Sequence, residues 1–199
     1  MITLDRFYLI VDSLQWVERL VPEGVRLLQL RIKSAAKDEL REEVRGAMEV
    51  CKAHGCQFVL NDYWELAIDL GCDFIHLGQE DLVDADLGAI RRAGIRFGVS
   101  THDDDELERA LATEPAYVAL GPVYSTILKK MPWAPQGLAR VAEWKRRVGE
   151  TPLVGIGGLN VERGKAVLQA GADIVSVVTD VSLNLDPEAR VRQWLGATR

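Results

Sequence analysis

The feature that most constrains the fold is a rhythm. Eight short runs rich in apolar and β-branched residues recur along the chain: RFYLIVD (6–12), VRLLQLRI (25–32), QFVLND (57–62), FIHLG (74–78), RFGVS (96–100), YVALGPV (117–123), PLVGIGG (152–158) and IVSVVTD (174–180). Between them lie segments with apolar residues at helical spacing, such as Ala47, Val50, Cys51 and His54, or Leu107, Ala110 and Leu111. Strands that alternate with helices build right-handed βαβ units on a parallel sheet. Eight such units close into a (β/α)8 barrel. The 199 residues suffice for one compact α/β barrel domain spanning 1–199, and no Pro/Gly/Ser-rich linker divides them. The longest irregular piece is 125–137, after the sixth run; a loop of that length over a barrel mouth can serve as a lid, or be an exposed basic loop.

Composition removes several classes of function. The net charge of −6 gives no basic footprint for nucleic acid or a membrane surface. No apolar run approaches a membrane span, and the start lacks the apolar core of a signal peptide. The three cysteines, Cys51, Cys56 and Cys72, have no metal-ligand spacing and read as small buried hydrophobes in a reduced, cytoplasmic protein. The expected partners are small molecules. A barrel of this size is often a homodimer, although nothing in the sequence marks an interface.

The polar residues collect at the strand ends. The second run alternates, so Gln29, Arg31 and Lys33 share one face. Parallel barrel strands are ordinarily apolar throughout, so two cations directed into a mouth ask for an anion, and an Arg fork beside a Lys point charge suits a diphosphate. The alternative is a solvated edge strand. Asp62 and Asp81 follow the third and fourth runs. Carboxylates on neighbouring loops suit Mg²⁺, which keeps sites for phosphate and water; as first-turn acids they could equally cap helices. Gly157-Gly158 and Thr179-Asp180 close the last two runs, where barrels often hold a phosphate on backbone N–H groups, though a glycine pair is also a tight turn and Asp180 would repel an anion unless turned away or paired with a cation. Thr126, Lys129 and Lys130 sit in the long loop. His54 reads as surface, His76 as a hydrogen-bonded core residue, and His102 as a solvated helix opener. No catalytic triad, Rossmann fingerprint or P-loop is present.

Taken in order, QLRIK (29–33), ND (61–62), HLGQEDL (76–82), GVS (98–100), GPVYST (121–126), IGG (156–158) and GAD (171–173) resemble the thiamine-phosphate synthase family over nearly the whole chain. The resemblance implies a TIM-barrel transferase that joins 4-amino-2-methyl-5-hydroxymethylpyrimidine diphosphate to a thiazole phosphate and releases pyrophosphate. It implies that Gln29, Arg31, Lys33, Asn61, Ser100 and Lys129 hold the pyrimidine diphosphate, with Arg31, Lys33 and Lys129 also acting in catalysis. Asp62 and Asp81 would bind Mg²⁺, and Thr126, Gly158, Val178 and Thr179 would surround the thiazole phosphate.

Three positions depart from the family pattern. Tyr63 stands where an arginine is usual, Leu128 where a threonine is usual, and Asp180 where a small residue is usual. Each removes a cation or hydroxyl or adds an anion, so the thiazole-phosphate half is expected to be the weaker one. Two rivals remain open at this level. A related family, the thiazole tautomerases, uses a histidine of the strand-6 loop as general base; here that loop reads Gly121-Pro122-Val123. The other rival is a barrel that binds a phosphorylated ligand without turnover.

Overall fold

A computed structural model describes residues 4–126 and 133–199. Eight parallel strands form a closed barrel in the order of the sequence. They are β1 (Phe7–Val11), β2 (Leu27–Leu30), β3 (Gln57–Asn61), β4 (Phe74–Leu77), β5 (Arg96–Thr101), β6 (Tyr117–Leu120), β7 (Leu153–Ile156) and β8 (Ile174–Val177). Each of the eight runs contributes one strand, seven of them trimmed at the ends and β5 extended by Thr101. Arg31, Lys33, Asp62 and Gly157-Gly158 therefore fall beyond the ladders, on connections at the strands' C-terminal ends, and Asp81 and Thr179 fall in the short helices that begin there.

The helices surround the barrel: α1 (Leu14–Leu20), α2 (Lys37–Ala53), α3 (Trp64–Leu70), α4 (Gln79–Asp84), α5 (Leu87–Arg92), α6 (Asp104–Leu111), α7 (Gly137–Val148), α8 (Val161–Gln169), the short α9 (Thr179–Ser182) and α10 (Pro187–Thr198). The helical spacing seen in the sequence does what it implies. Ala47 and Cys51 of α2, and Leu107 and Ala110 of α6, are buried against the strands, while His54 lies exposed just past the end of α2. All three cysteines are free and buried. No described helix is long and apolar enough to cross a membrane.

The alternation of side chains along each strand makes two apolar cores. The outer one lies between strands and helices, and in it Trp194 of α10 stacks on Phe7 of β1 at 5.6 Å, which fastens the last helix to the first strand. The inner one fills the barrel with Tyr8, Leu27, Val59, Phe74, Tyr117, Ala119, Val154 and Ile174. Gly98 explains how the bulky Tyr117 ring fits: a Cβ built at Gly98 would stand 2.1 Å from that ring. A side chain on β5 at this height would evict the tyrosine that the inner core is built around.

Candidate active site

Above the inner core, the C-terminal mouth encloses a cavity of about 380 Å³, within the range of small-molecule sites. Gln29, Arg31 and Lys33 enter it from β2 and the loop that follows. Asn61 and Asp62 enter from the end of β3, Asp81 from the first turn of α4, and Ser100 from β5. Thr126 and Val178 face them from the β6 and β8 sides. Nine of the residues predicted from the sequence thus share one hollow. Lys129, Lys130 and Leu128 lie outside the described residues. Gly158 and Thr179 adjoin this hollow without lining it.

Asp62 is built under strain. Its φ is +66°, a left-handed conformation uncommon for a residue other than glycine. The backbone is held there from both sides: its N–H donates to the His76 carbonyl at 2.9 Å, and its own carbonyl accepts from the Trp64 N–H at 2.7 Å. The result aims the carboxylate at the mouth, where Lys33 Nζ donates to Oδ2 at 2.9 Å. Strain of this kind costs on the order of 1–3 kcal/mol and persists where the surroundings impose it, which points to function.

Asp81 has both of the uses that the sequence left open. Its Oδ2 accepts from the Gly78 N–H at 3.1 Å, so it does cap α4. Its carboxyl group also meets that of Asp62. Partial burial first, and then the neighbouring Asp62 carboxylate, push the Asp81 carboxyl above the usual range. Two carboxylates pressed together, with one lysine to offset them, form a donor set that fits a hard divalent cation. No group of three or more His, Cys, Asp or Glu side chains among the described residues is arranged around a metal. Two protein oxygens are nevertheless what Mg²⁺ takes when substrate phosphates and water complete its shell. Asn61 adds an independent sign of a ligand: its Nδ2 is buried and without a partner, an arrangement that costs free energy unless something else accepts from it.

His76 behaves as expected of a core histidine. Its Nδ1 lies 2.8 Å from Tyr117 Oη and its Nε2 lies 2.8 Å from Ser100 Oγ. Burial lowers its pKa to about 4, so the ring is neutral. His102 corrects the sequence reading. It is not a solvated helix opener; it lines the mouth, bonds Glu106 through Nδ1 at 2.7 Å, and stacks on Trp133 with ring centroids 4.0 Å apart. Gln136 Nε2 donates to the His102 carbonyl at 2.7 Å, so the far end of the strand-6 loop is fastened to the end of β5. Trp133 gave no signal in the sequence, because a lone tryptophan in a loop has no periodicity to reveal its neighbours.

The model of the thiamine monophosphate synthase family matches residues 2–181. The chain belongs to that family. A thiamine-phosphate synthase of Rhizobium etli is 66% identical over 98% of this chain and 96% of its own length. One of Cronobacter sakazakii is 47% identical over 96% of this chain and 88% of its own. In fold the chain is similar to a thiamine phosphate pyrophosphorylase structure from Pyrococcus furiosus, with a TM-score of 0.87 at 23% identity over 98% of this chain and 95% of that one.

Two of this thiamine monophosphate synthase family member's departures are resolved by their contacts. Asp180 does not oppose an anion in the mouth. Its carboxylate takes a two-pronged pair from Arg190, Nε at 2.8 Å and Nη2 at 3.0 Å, and a third bond from the Trp194 indole N–H at 2.8 Å. It ties α9 to α10, and its charge is spent there. The expected weakening of the thiazole-phosphate half therefore loses one of its three grounds. Tyr63 precedes α3 and donates through its hydroxyl to the Ile32 carbonyl at 3.0 Å, bracing the loop that carries Arg31 and Lys33. The glycine pair bends the chain sharply at the end of β7. Gly157 and Gly158 have φ of +102° and +65°, and a Cβ on Gly158 would meet the Ser125 carbonyl at 2.3 Å. That bend seats the β7 loop directly against the start of the strand-6 loop.

Proposed function

We propose that the mouth of this barrel couples 4-amino-2-methyl-5-hydroxymethylpyrimidine diphosphate to a thiazole phosphate, giving thiamine phosphate and pyrophosphate. The protein is a transferase by family, and its named relatives are thiamine-phosphate synthases. The observation that carries the assignment of substrates to residues is the strained Asp62, facing Asp81 and held by Lys33 beside Arg31. Cations beside paired carboxylates at one spot suit a diphosphate for which Asp62 and Asp81 would hold a divalent ion.

The bond to break is the C–O bond between the pyrimidine methylene and the diphosphate. Negative charge grows on the leaving group, and Arg31 and Lys33, with Lys129 from the strand-6 loop, meet it there. Mg²⁺ held by Asp62 and Asp81 would neutralise further phosphate charge. The carbocation left behind is stabilised by the electron-rich aminopyrimidine, so no strong protein base is needed. Gln29, Asn61 and Ser100 orient the pyrimidine ring, and Asn61 Nδ2 gains its missing acceptor. Thr126, Gly158, Val178 and Thr179 hold the thiazole phosphate so that the thiazole nitrogen stands next to the methylene. A homodimer is the assembly we expect.

The test is release of pyrophosphate with both substrates present. Release that requires both substrates, the diphosphate and the thiazole phosphate, supports coupling. Tight binding of either one without release would show a ligand-binding barrel, and isomerisation of a carboxythiazole phosphate without coupling would show a tautomerase.

A further inference from the structure

Beneath the mouth a continuous file of hydrogen bonds crosses the barrel. Gln29 Nε2 donates to Tyr8 Oη at 2.7 Å, Tyr8 Oη lies 2.9 Å from Tyr117 Oη, Tyr117 Oη lies 2.8 Å from His76 Nδ1, and His76 Nε2 lies 2.8 Å from Ser100 Oγ. Both tyrosines are fully buried, and neither ring reaches the cavity. The two ends, Gln29 and Ser100, do reach it. A sequence reading gives no hint of this file, because its members come from β1, β2, β4, β5 and β6.

The direction of the protons can be worked out by counting donors. Gln29 Nε2–H gives to Tyr8 Oη. The Tyr8 hydroxyl proton then has one acceptor among the described residues, Tyr117 Oη. Tyr117 must pass its own proton on, and His76 Nδ1 is the atom that takes it. With Nδ1 accepting, the ring's single proton is on Nε2 and is given to Ser100 Oγ. With Gln29 Nε2 facing Tyr8, a proton on His76 Nδ1 would make Tyr117 donate back to Tyr8 and leave the buried Tyr8 proton without an acceptor, a loss of about 1–3 kcal/mol; the file runs the other way only with the Gln29 amide turned over, Oε1 toward Tyr8. A doubly protonated ring is excluded by the same count.

We infer that Tyr8, Tyr117 and His76 are positioning residues that form a one-way relay, which fixes the Gln29 carbonyl as an acceptor and the Ser100 hydroxyl as a donor in the mouth. With one Nε2–H given to Tyr8, Oε1 is turned away from Tyr8 and is the acceptor that Gln29 offers a ligand. With Oγ accepting from His76, the Ser100 proton is available to be given to a ligand in the mouth. An acceptor and a donor held at fixed places match an edge that presents an amino group beside a ring nitrogen lone pair, as an aminopyrimidine does. This assignment rests on the coupling reading; the polarity of the relay does not.

The relay is tested first without substrate. In the full chain labelled with ¹⁵N-histidine, long-range ¹H–¹⁵N spectra identify His76 by elimination, using His54→Gln and His102→Gln to remove the other two rings. We expect His76 as a single Nε2–H tautomer. An Nδ1–H tautomer, or exchange between the two, overturns the relay, whatever the activity. Tyr117→Phe then removes the donor to Nδ1. It is expected to free the His76 tautomer and to raise KM for the pyrimidine diphosphate about tenfold, with KM for the thiazole phosphate within about twofold of the parent. An unchanged tautomer and KM, or an equal rise in both KM values, overturns the positioning role. If Tyr117→Phe does not fold, Tyr8→Phe removes the acceptor of Gln29 Nε2 while Tyr117 still donates to Nδ1; it is expected to keep the Nε2–H tautomer and to raise KM for the pyrimidine diphosphate alone, and an unchanged KM or an equal rise in both KM values overturns the positioning role. A chain with the Nε2–H tautomer that releases no pyrophosphate would refute the coupling reading while supporting the relay.

Discussion

The two sides of the barrel mouth are made of different material. From β2 to β5 it is built from side chains: Arg31, Lys33, Asn61, Asp62, Asp81 and Ser100 all reach the cavity, and one of them, Asp62, is held in a left-handed conformation. From β6 to β8 it is built mainly from backbone: a glycine pair at positive φ is seated under the strand-6 loop, and Asp180, just past β8, is turned onto Arg190 and Trp194. The first side is chemically specific and energetically costly. The second is shaped by packing. Substitutions on the two sides should therefore fail in different ways, with activity lost and stability kept on one, and stability or binding lost with little effect on turnover on the other.

The sharpest contrast is expected from Arg31→Ala, which removes from the mouth the charge that the proposed reaction sets against the leaving group. Pyrophosphate release should fall by about 10²–10³-fold with the fold intact; a fall of less than threefold would remove Arg31 from the catalytic set. Asp62→Gly should lower release by about 10²-fold while leaving stability to urea unchanged or raised by up to about 1 kcal/mol, because glycine adopts the left-handed conformation freely. If the substitution instead destabilises the protein, the strain at Asp62 belongs to the fold and not to the site. On the other side, Asp180→Ala should cost about 2–3 kcal/mol in urea unfolding, since it leaves Arg190 and the Trp194 indole without their acceptor. Calorimetric affinity for the thiazole phosphate should stay within about twofold, and a clear gain in affinity would restore Asp180 as a repelling charge in the mouth. Gly158→Ala is expected to have the smallest effect on turnover. It should weaken thiazole-phosphate binding several-fold, as its Cβ pushes on the Ser125 carbonyl, with little change for the pyrimidine diphosphate.

The same division decides how much could be read from the sequence. The barrel was legible because eight apolar runs and the helical spacing between them are local patterns. The charged half of the mouth was legible too: in QLRIK, ND and HLGQED, polar residues interrupt or end runs that burial alone would make apolar, and each lies next to its strand. Asp81 shows the limit of such reading, for it is at once a helix cap and the partner of Asp62, and the sequence offered these as alternatives. Whether Asp180 repels an anion or pairs with a cation stayed open in the sequence because its partners, Arg190 and Trp194, lie a helix away. Trp133 on His102, and the file from Gln29 to Ser100, were invisible for the same reason. Those contacts join elements whose neighbourhood exists only once the barrel closes.

The account's central claim is that Asp62 and Asp81 act together on a divalent cation at the diphosphate. The direct measurement is the rate of pyrophosphate release against Mg²⁺ concentration for the parent and for Asp81→Asn, a change that keeps an acceptor for the Gly78 N–H. The account expects the variant to turn over at least about tenfold more slowly at low Mg²⁺ and to recover part of the loss as Mg²⁺ is raised. A variant with the parent's rate and the parent's Mg²⁺ dependence would reduce Asp81 to a helix cap and contradict the claim.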